Sequence, residues 1–468
     1  MDNSGCNGGC SKAKRSKSSD EFMINSKWAY LPSIVLHEIF EYLSYEDRKN
    51  ASSVCHNWRQ IIFHPKWWSS AKFDLEQHNV SKVNFYIATL GRIVSEATVS
   101  LNSLSPTCLN QFVILLRTFS ENNHFRNLLL EPTHCRFEIP QKYIEDSVEV
   151  SNTFEIVNLL TMVLPRLNKF SIGCVEEFAH NMEILLKNLT PSKVTLLGLA
   201  SVKDDPVKYE PSYFNLELLA QFRNLQILSV DYDHLSDEFL YKLEKATLLS
   251  RLVVHLHAVQ KNHPGSTNEA WIDFKRAHPQ CMLRLSVIHA YKEIAQLHVT
   301  VLKEQMPLSH LKVFFCENLF QVNMEVLRTL PTFYANTLRS VIWIDSLSDC
   351  DYSWKCSKSS VNIPDPFILM SWQCLHFEEL IIYGYKYCEY NLVAIGRLRG
   401  PKLTRLEIPQ DDILFSDSLN VYCIDDISSN LQRPWKPLKR SELHPVILDP
   451  VAGDSDEFLL PYVLADLR

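Results

Sequence analysis

The segment VVHLHAV, residues 253–259, sets His255 and His257 two apart, on one side of any strand that carries them. Two imidazoles are half of a structural zinc site, which takes four ligands; His263 is the nearest third donor and no fourth stands near it. Histidines on the polar face of a strand account for the pattern better than a metal does. A second group, Cys350, Cys356, Cys374, His376 and Cys388, lacks a paired C-x2-C spacing and reads as dispersed core and loop residues. Cys6 and Cys10, in CNGGC, have no further ligands in their neighbourhood. The carboxylate pairs Asp204-Asp205, Asp411-Asp412 and Asp425-Asp426 read as loop charges, and no Ser, Cys or carboxylate stands in a nucleophile or acid/base motif. The expectation is a non-catalytic chain without cofactor or metal.

Binding is the chemistry that remains, and residues 31–68 carry an unusual amount of apolar surface for it. Leu36, Ile39, Phe40 and Leu43 fall at i, i+3, i+4, i+7, the stripe of an amphipathic helix that starts at Leu31-Pro32. Ser44 is a possible cap for a second helix, with Glu46 and Asp47 in its first turn. A second stripe runs Ala51, Val54, Cys55, Trp58, Ile61 and Ile62, before Pro65 as a stop and Trp67-Trp68. Helices in so short a segment cannot bury that much apolar area among themselves, so a partner surface is required.

These landmarks resemble the F-box, the adaptor-binding module of cullin-type ubiquitin ligases: Leu31-Pro32, the Leu36/Ile39/Phe40/Leu43 stripe, Asp47-Arg48, Ala51, Val54-Cys55, Trp58-Arg59 and the terminal Trp. The doubled Trp67-Trp68 is the departure, one Trp being usual. The resemblance implies docking of Leu31, Pro32, Leu36, Ile39, Leu43, Val54, Cys55 and Trp58 in the groove of a Skp1-like adaptor and, through it, a cullin.

Beyond residue 71 one frame keeps returning: apolar, two residues, apolar, one residue, apolar. It stands at Phe125/Leu128/Leu130, Leu167/Phe170/Ile172, Leu225/Leu228/Val230, Leu249/Leu252/Val254, Met282/Leu285/Val287, Leu308/Leu311/Val313, Leu338/Val341/Trp343, Phe377/Leu380/Ile382 and Leu403/Leu406/Ile408. The last seven frames are spaced by 24, 33, 26, 30, 39 and 26 residues, irregular against the 20–29 of a leucine-rich repeat. Helical stripes lie between them: Ser236 as cap before Phe239, Leu240 and Leu243; Asn323 before Val326, Leu327 and Leu330 with Pro331 as stop; Leu392, Ile395 and Leu398 ending at Gly400. Short strand and helix in alternation predict a parallel solenoid, an α/β architecture. In LSHLKVFFCENL, Cys316 takes the consensus turn position before Leu319, and Asp233 and Asp411 take it in two other units. This part resembles the leucine-rich-repeat class of F-box proteins.

In LIIYGYKYCEY, Tyr383, Tyr385 and Tyr387 alternate opposite Ile382, where a continuing strand would present them on the concave face to a protein substrate. The expected layout is a disordered tail at 1–25, the F-box at 26–70, the substrate-binding solenoid at 71–430 and a C-terminal capping segment at 431–468. The apolar EFLLPYVLADL is expected to pack back and close the open end of the solenoid. Thus the resemblance implies an adapter that links a ligase to a protein substrate; a scaffold whose F-box serves assembly without ubiquitination is its rival.

Composition restricts other classes. At 468 residues and 46% hydrophobic the chain can bury a large core, and a net charge of −7 without a long basic face points away from nucleic acid. Neither G-x-G-x-x-G nor a Walker-type phosphate loop occurs, and no run of 18 apolar residues suggests a membrane span. Thirteen cysteines, odd and scattered, fit a reducing compartment. With no apolar leader, and with Asp2 in place of the glycine of a myristoylation site, a cytoplasmic or nuclear location is expected. Lys12, Lys14, Arg15 and Lys17 read as charges of the solvated tail.

Overall fold

The computed structural model describes residues 27–64, 67–75, 80–137, 152–316, 324–347, 364–415, 420–451 and 453–468. The expectations for the 1–25 tail, Pro65, Leu319, Asn323, Cys350 and Cys356 lie outside these residues. The chain divides into two compact units, 1–69 and 70–468.

In the first unit a 3-10 turn, Lys27–Tyr30, leads into three helices, α1 Ser33–Glu41, α2 Tyr45–Ser52 and α3 His56–Ile62. Pro32 precedes the first turn of α1, and Ser44 caps α2 by accepting from the Asp47 N–H at 3.2 Å. Among the described residues only Leu36, Phe40 and Ile61 are buried in its core; Leu31, Ile39, Leu43, Ala51, Trp58, Ile62 and Trp67 pack around them half-covered. Two groups brace this small core. Asn57 Nδ2 donates to the carbonyls of Ala29 and Leu31, and Trp58 Nε1 to that of Trp28, which ties the 3-10 turn to α3. Arg48 donates from Nε to the Phe40 carbonyl and stacks over the Trp67 ring at 4.5 Å.

The second unit is built on a twelve-stranded sheet whose strands stand in chain order. Its strands are β1 Ser70–Leu75, β2 Glu96–Leu101, β3 Asn127–Pro132, β4 Lys169–Ser171, β5 Leu196–Gly198, β6 Ile227–Asp231, β7 Arg251–Leu256, β8 Met282–Ile288, β9 Leu308–Phe314, β10 Ser340–Ile344, β11 Glu379–Tyr383 and β13 Arg405–Glu407. Every neighbouring pair is parallel, so each connection must recross the sheet, most of them through a helix. A separate parallel pair, β12 Tyr387–Cys388 with β14 Ile413–Leu414, sits beyond β11. This is an irregular leucine-rich-repeat solenoid.

All nine frames read from the sequence coincide with strands, and twenty-six of their twenty-seven apolar residues are buried. The exception is Met282, half-buried: the ladder slips by a residue between Leu283 and Arg284, and Leu283 turns inward with Cys281. Three strands went unread. Val194/Leu197/Leu199 supplies β5, Val94/Ala97/Val99 supplies β2, and β1 uses Ser70 ahead of Phe73 and Leu75. Ala97 and Ser70 at frame positions hide β2 and β1 from a search for large apolar side chains, whereas Val194/Leu197/Leu199 carries the full apolar frame.

Ser236 caps its helix as expected, and Gly400 ends the helix Glu389–Arg399 with φ +55°. Pro331 does not stop its helix, which runs Met324–Tyr334 through it, and Leu398 is exposed. Cys316 works at its turn: its sulfur accepts from the Ala290 N–H at 3.3 Å and lies 3.3 Å from the Phe314 carbonyl. In the last unit Asp412, not Asp411, turns inward and accepts from the Gly384 N–H at 2.8 Å.

The tail departs most from expectation. The open end is closed by the helix Asn420–Leu431 and Trp435, whose Nε1 donates to the Leu406 carbonyl, with Leu438 bridging Pro409. Residues 443–467 instead cross the free face of the sheet. Leu443, Val446, Ile447, Leu459, Leu460, Val463, Leu464 and Leu467 form one core with Leu196, Phe314, Ile342, Ile344, Ile381 and Tyr383. The physical reason is the alternation of the strands: these residues point away from the helices, and an apolar second face needs its own cover.

Candidate functional site

On the helical module the docking residues expected from the sequence split into two groups. Leu36 is completely buried in the module's own core, so it supports a surface rather than forming one. Leu31, Ile39, Leu43, Cys55 and Trp58 are half-buried, while Pro32 and Val54 are exposed. The reason is the helical period: the i, i+3, i+4 stripe that reads as a docking face is the one α1 turns toward α3. The uncovered apolar side chains are different ones. Ile34 is 73% exposed, Tyr42 90% and Val54 49%, with Trp28, Tyr30 and Val35 also open. Ile34, Val35 and Tyr42 lie off the i, i+3, i+4 stripe, which is why the periodicity alone does not single them out.

On the solenoid, the tyrosine expectation is corrected. Tyr383, Tyr385 and Tyr387 are all buried. Strand β11 ends at Tyr383, and Gly384, at φ +86°, breaks the alternation that would have presented all three on one face. A side chain at 384 would meet the Asp345 carbonyl at 2.7 Å, so the turn requires glycine. Each hydroxyl instead donates to a carboxylate: Tyr383 to Glu407 at 2.8 Å, Tyr385 to Asp345, and Tyr387 to Asp365 at 2.8 Å. These are framework contacts, and they offer nothing to a partner.

The histidines of VVHLHAV are also interior. His255 and His257 are buried, and burial pushes both toward the neutral form, His257 the further. His255 Nδ1 lies 3.1 Å from the Ser201 carbonyl. His263 is separately engaged, with Nε2 3.0 Å from the Tyr232 carbonyl and Nδ1 accepting from Gly265 N–H. Among the described residues no three His, Cys, Asp or Glu side chains are placed to hold a metal. Cys374 is buried, Cys388 half-buried and His376 exposed, so these three do not share an environment. Of the carboxylate pairs, Asp205 closes a turn through the Val207 and Lys208 N–H groups, and Asp204 pairs with Arg136. Asp425 and Asp426 belong to a helix, where Asp426 meets Arg397 at 3.2 Å.

One polar cluster escaped the sequence reading. Asp231, at the end of β6, accepts from Ser201 N–H at 2.8 Å, from Ser201 Oγ at 2.6 Å and from Lys203 Nζ at 3.2 Å. Burial would raise its pKa, but the Lys203 ammonium and the Ser201 donors pull it down to about 2. Lys203 in turn lies over the Tyr209 ring at 4.9 Å. The 201–214 loop is thereby locked to the ends of the strands.

Helical module and solenoid together define the class: an F-box-like domain ahead of a leucine-rich-repeat body. Residues 28–73 match the family model described as F-box-like. The chain is similar to F-box only protein 33 of Homo sapiens, 24% identical over 490 residues covering 90% of this chain and 85% of that protein. It is 22% identical to F-box only protein 33 of Mus musculus, over 83% of this chain and 77% of that one. The F-box/LRR-repeat protein 21 of Ovis aries is 23% identical over 88% of this chain and 89% of its own length. Among the described residues no helix is long and apolar enough to cross a membrane.

Proposed function

We propose that the chain is a substrate-receptor subunit of a cullin-type ubiquitin ligase. On this reading the F-box-like module docks on a Skp1-like adaptor, and through it on a cullin, while the solenoid body holds a protein substrate. The job is proximity: a substrate lysine held near a charged ubiquitin-conjugating enzyme gains effective concentration, and the receptor needs no catalytic residue of its own. The observation that carries this reading is the exposed apolar set Trp28, Tyr30, Ile34, Val35, Tyr42 and Val54 on a module whose core, among the described residues, holds three buried apolar side chains. So many exposed large apolar side chains on so small a body call for a partner.

The test separates docking from folding. Replacing Ile34 and Val54 together by Asp touches exposed positions only and should leave the module folded. Losing two apolar anchors at about 1.5–3 kcal/mol each weakens a complex by more than roughly a hundredfold, at about 1.4 kcal/mol per factor of ten. Leu36→Ala, by contrast, should unfold the module and lose the adaptor for that reason. Adaptor pulldown alongside circular dichroism of residues 27–69 distinguishes the two. A folded Ile34→Asp, Val54→Asp protein that still recovers adaptor at the original level would sink the docking assignment.

A further inference from the structure

The apolar cover of the sheet has one charged seam. Arg251 of β7, Arg284 of β8 and Lys312 of β9 stand on neighbouring strands and turn to the same segment of the tail. Arg284 and Lys312 each lie 2.8 Å from a carboxylate oxygen of Asp466. Lys312 also donates to the Tyr462 carbonyl at 2.6 Å, and Arg251 to the carbonyls of Asp466 and Arg468 at 2.6 and 2.7 Å. Two cations thus share the Asp466 carboxylate, and a third, Arg251, meets only backbone carbonyls beside it.

Beside this seam, between the ends of β8–β13 and the last helix, Ser455–Leu464, lies an open cavity of about 360 Å³. That volume is at the small end of ligand sites. Arg284, Lys312 and Arg405 line it with Glu379 and Asp466, and Ile342, Pro461 and Tyr462 supply an apolar wall. Arg405 is committed, to Glu379 at 3.1 Å and Glu407 at 2.6 Å. The excess positive charge therefore belongs to Arg284, Lys312 and the adjacent Arg251. His310, in the same wall, is driven toward its neutral form by burial and by Arg284, Lys312 and Arg251, consistent with a positive field.

The donors agree with the charge count. Arg284 and Arg251 each keep a buried Nε that meets no acceptor. A buried N–H without an acceptor is costly, more so on a charged group, and guanidinium groups are matched to carboxylate and phosphate oxygens. We propose that this cavity binds a small organic phosphate: its oxyanion against Arg284 and Lys312, its apolar body against Ile342, Pro461 and Tyr462. The site goes beyond the adaptor reading and does not depend on it, because it lies wholly in the solenoid unit.

Phenyl phosphate is the probe, added to the full chain at constant ionic strength against sodium chloride. Site binding should raise the melting temperature saturably, by ~3 °C or more at a hundredfold excess over Kd. It should also broaden the 31P resonance of the probe. Ala465→Glu sets a carboxylate at an exposed position in the cavity lining without removing a contact; the variant should melt like the original chain but lose the shift and the broadening. Phosphate excluded from the surface stabilises in proportion to concentration, without saturation and equally in both proteins. That result, or a melting shift no larger than sodium chloride gives, overturns the site.

Discussion

Asp466→Asn is the sharpest perturbation of the tail, because it changes one oxygen and leaves the volume alone. Burial would push the Asp466 pKa up, yet Lys312 and Arg284 hold the carboxyl below its ordinary range, so the folded state depends on its charge. Removing one partner of a buried ion pair costs about 3–5 kcal/mol, since the other charges stay buried and uncompensated. At about 2.1 cal/mol/K per residue, a solenoid of roughly 400 residues unfolds with an entropy near 0.8 kcal/mol/K. The melting temperature should then fall by about 4–6 °C. The sign with pH is also fixed: a depressed folded pKa gives stability that is present above the unfolded value and lost on acidification, so the gap between the two proteins should close below pH ~4. Calorimetry supplies both numbers, and hydrogen exchange over 455–467 locates the effect. A variant melting within one degree at neutral pH (~7), with that helix still protected, would refute the view that the charge seam holds the tail.

Two further outcomes follow from the same packing. A Cβ at Gly198 would stand 2.7 Å from Leu467 Cδ1 and from Ser171 Oγ, so Gly198→Ala should cost about 1–3 kcal/mol by overpacking. Trimming Leu467 to Ala in the same chain should recover part of that loss, and a double-mutant cycle in urea measures the coupling. Acidification should destabilise the solenoid between pH ~6.5 and 4. Burial lowers His234 and His289 to about 4 and lowers His255, His257 and His310 as well. The unfolded chain takes up those protons first, and stability falls with pH through that window. Burial lowers His263 and His278 too, seven histidines in all among the described residues. Asp233, raised to about 6, Asp412, raised to about 7, and Glu177, Asp365 and Asp456, also raised, act in the opposite direction but are fewer. Unfolding free energies at pH 7.5 and 5 decide it; equal or higher stability at pH 5 contradicts the assignment.

The repeat was legible wherever the strand frame carried large apolar residues, because a strand in a solenoid buries its frame positions whatever the neighbouring repeats do. Units built on Ala97 or Ser70 left no such mark, whereas the short strand Leu196–Gly198 carries the full frame in Val194, Leu197 and Leu199. The F-box landmarks were legible as a pattern, but the pattern mixes two roles. Leu36 and Ile34 are both apolar and two residues apart, yet one is fully buried and the other 73% exposed. Only the packing of α1 on α3 tells the support from the surface. The tyrosines misled for a backbone reason: period-2 alternation assumes an unbroken strand, and Gly384 ends it. The tail's burial was predictable from its apolar composition, whereas its location depended on a second apolar face of the sheet, visible only once the strands are side by side.

The location of the tail bears on the receptor reading. Leu459, Leu460, Val463, Leu464 and Leu467 are buried against the sheet, and at about 1.5–3 kcal/mol each their burial amounts to roughly 8–15 kcal/mol. A nanomolar complex is worth about 12 kcal/mol in total. A substrate would spend an affinity of that order merely to uncover the strands, so the last helix behaves as part of the body and not as a plug that a ligand removes. On the receptor reading, the surface left to a substrate is that of the loops and the outer helices, with Tyr383 and its neighbours behind them as framework. Removing residues 455–468 should therefore lower the melting temperature of the solenoid and reduce substrate capture. A shortened chain that stays folded and captures more substrate would show instead that the helix is a displaceable occupant of the concave face.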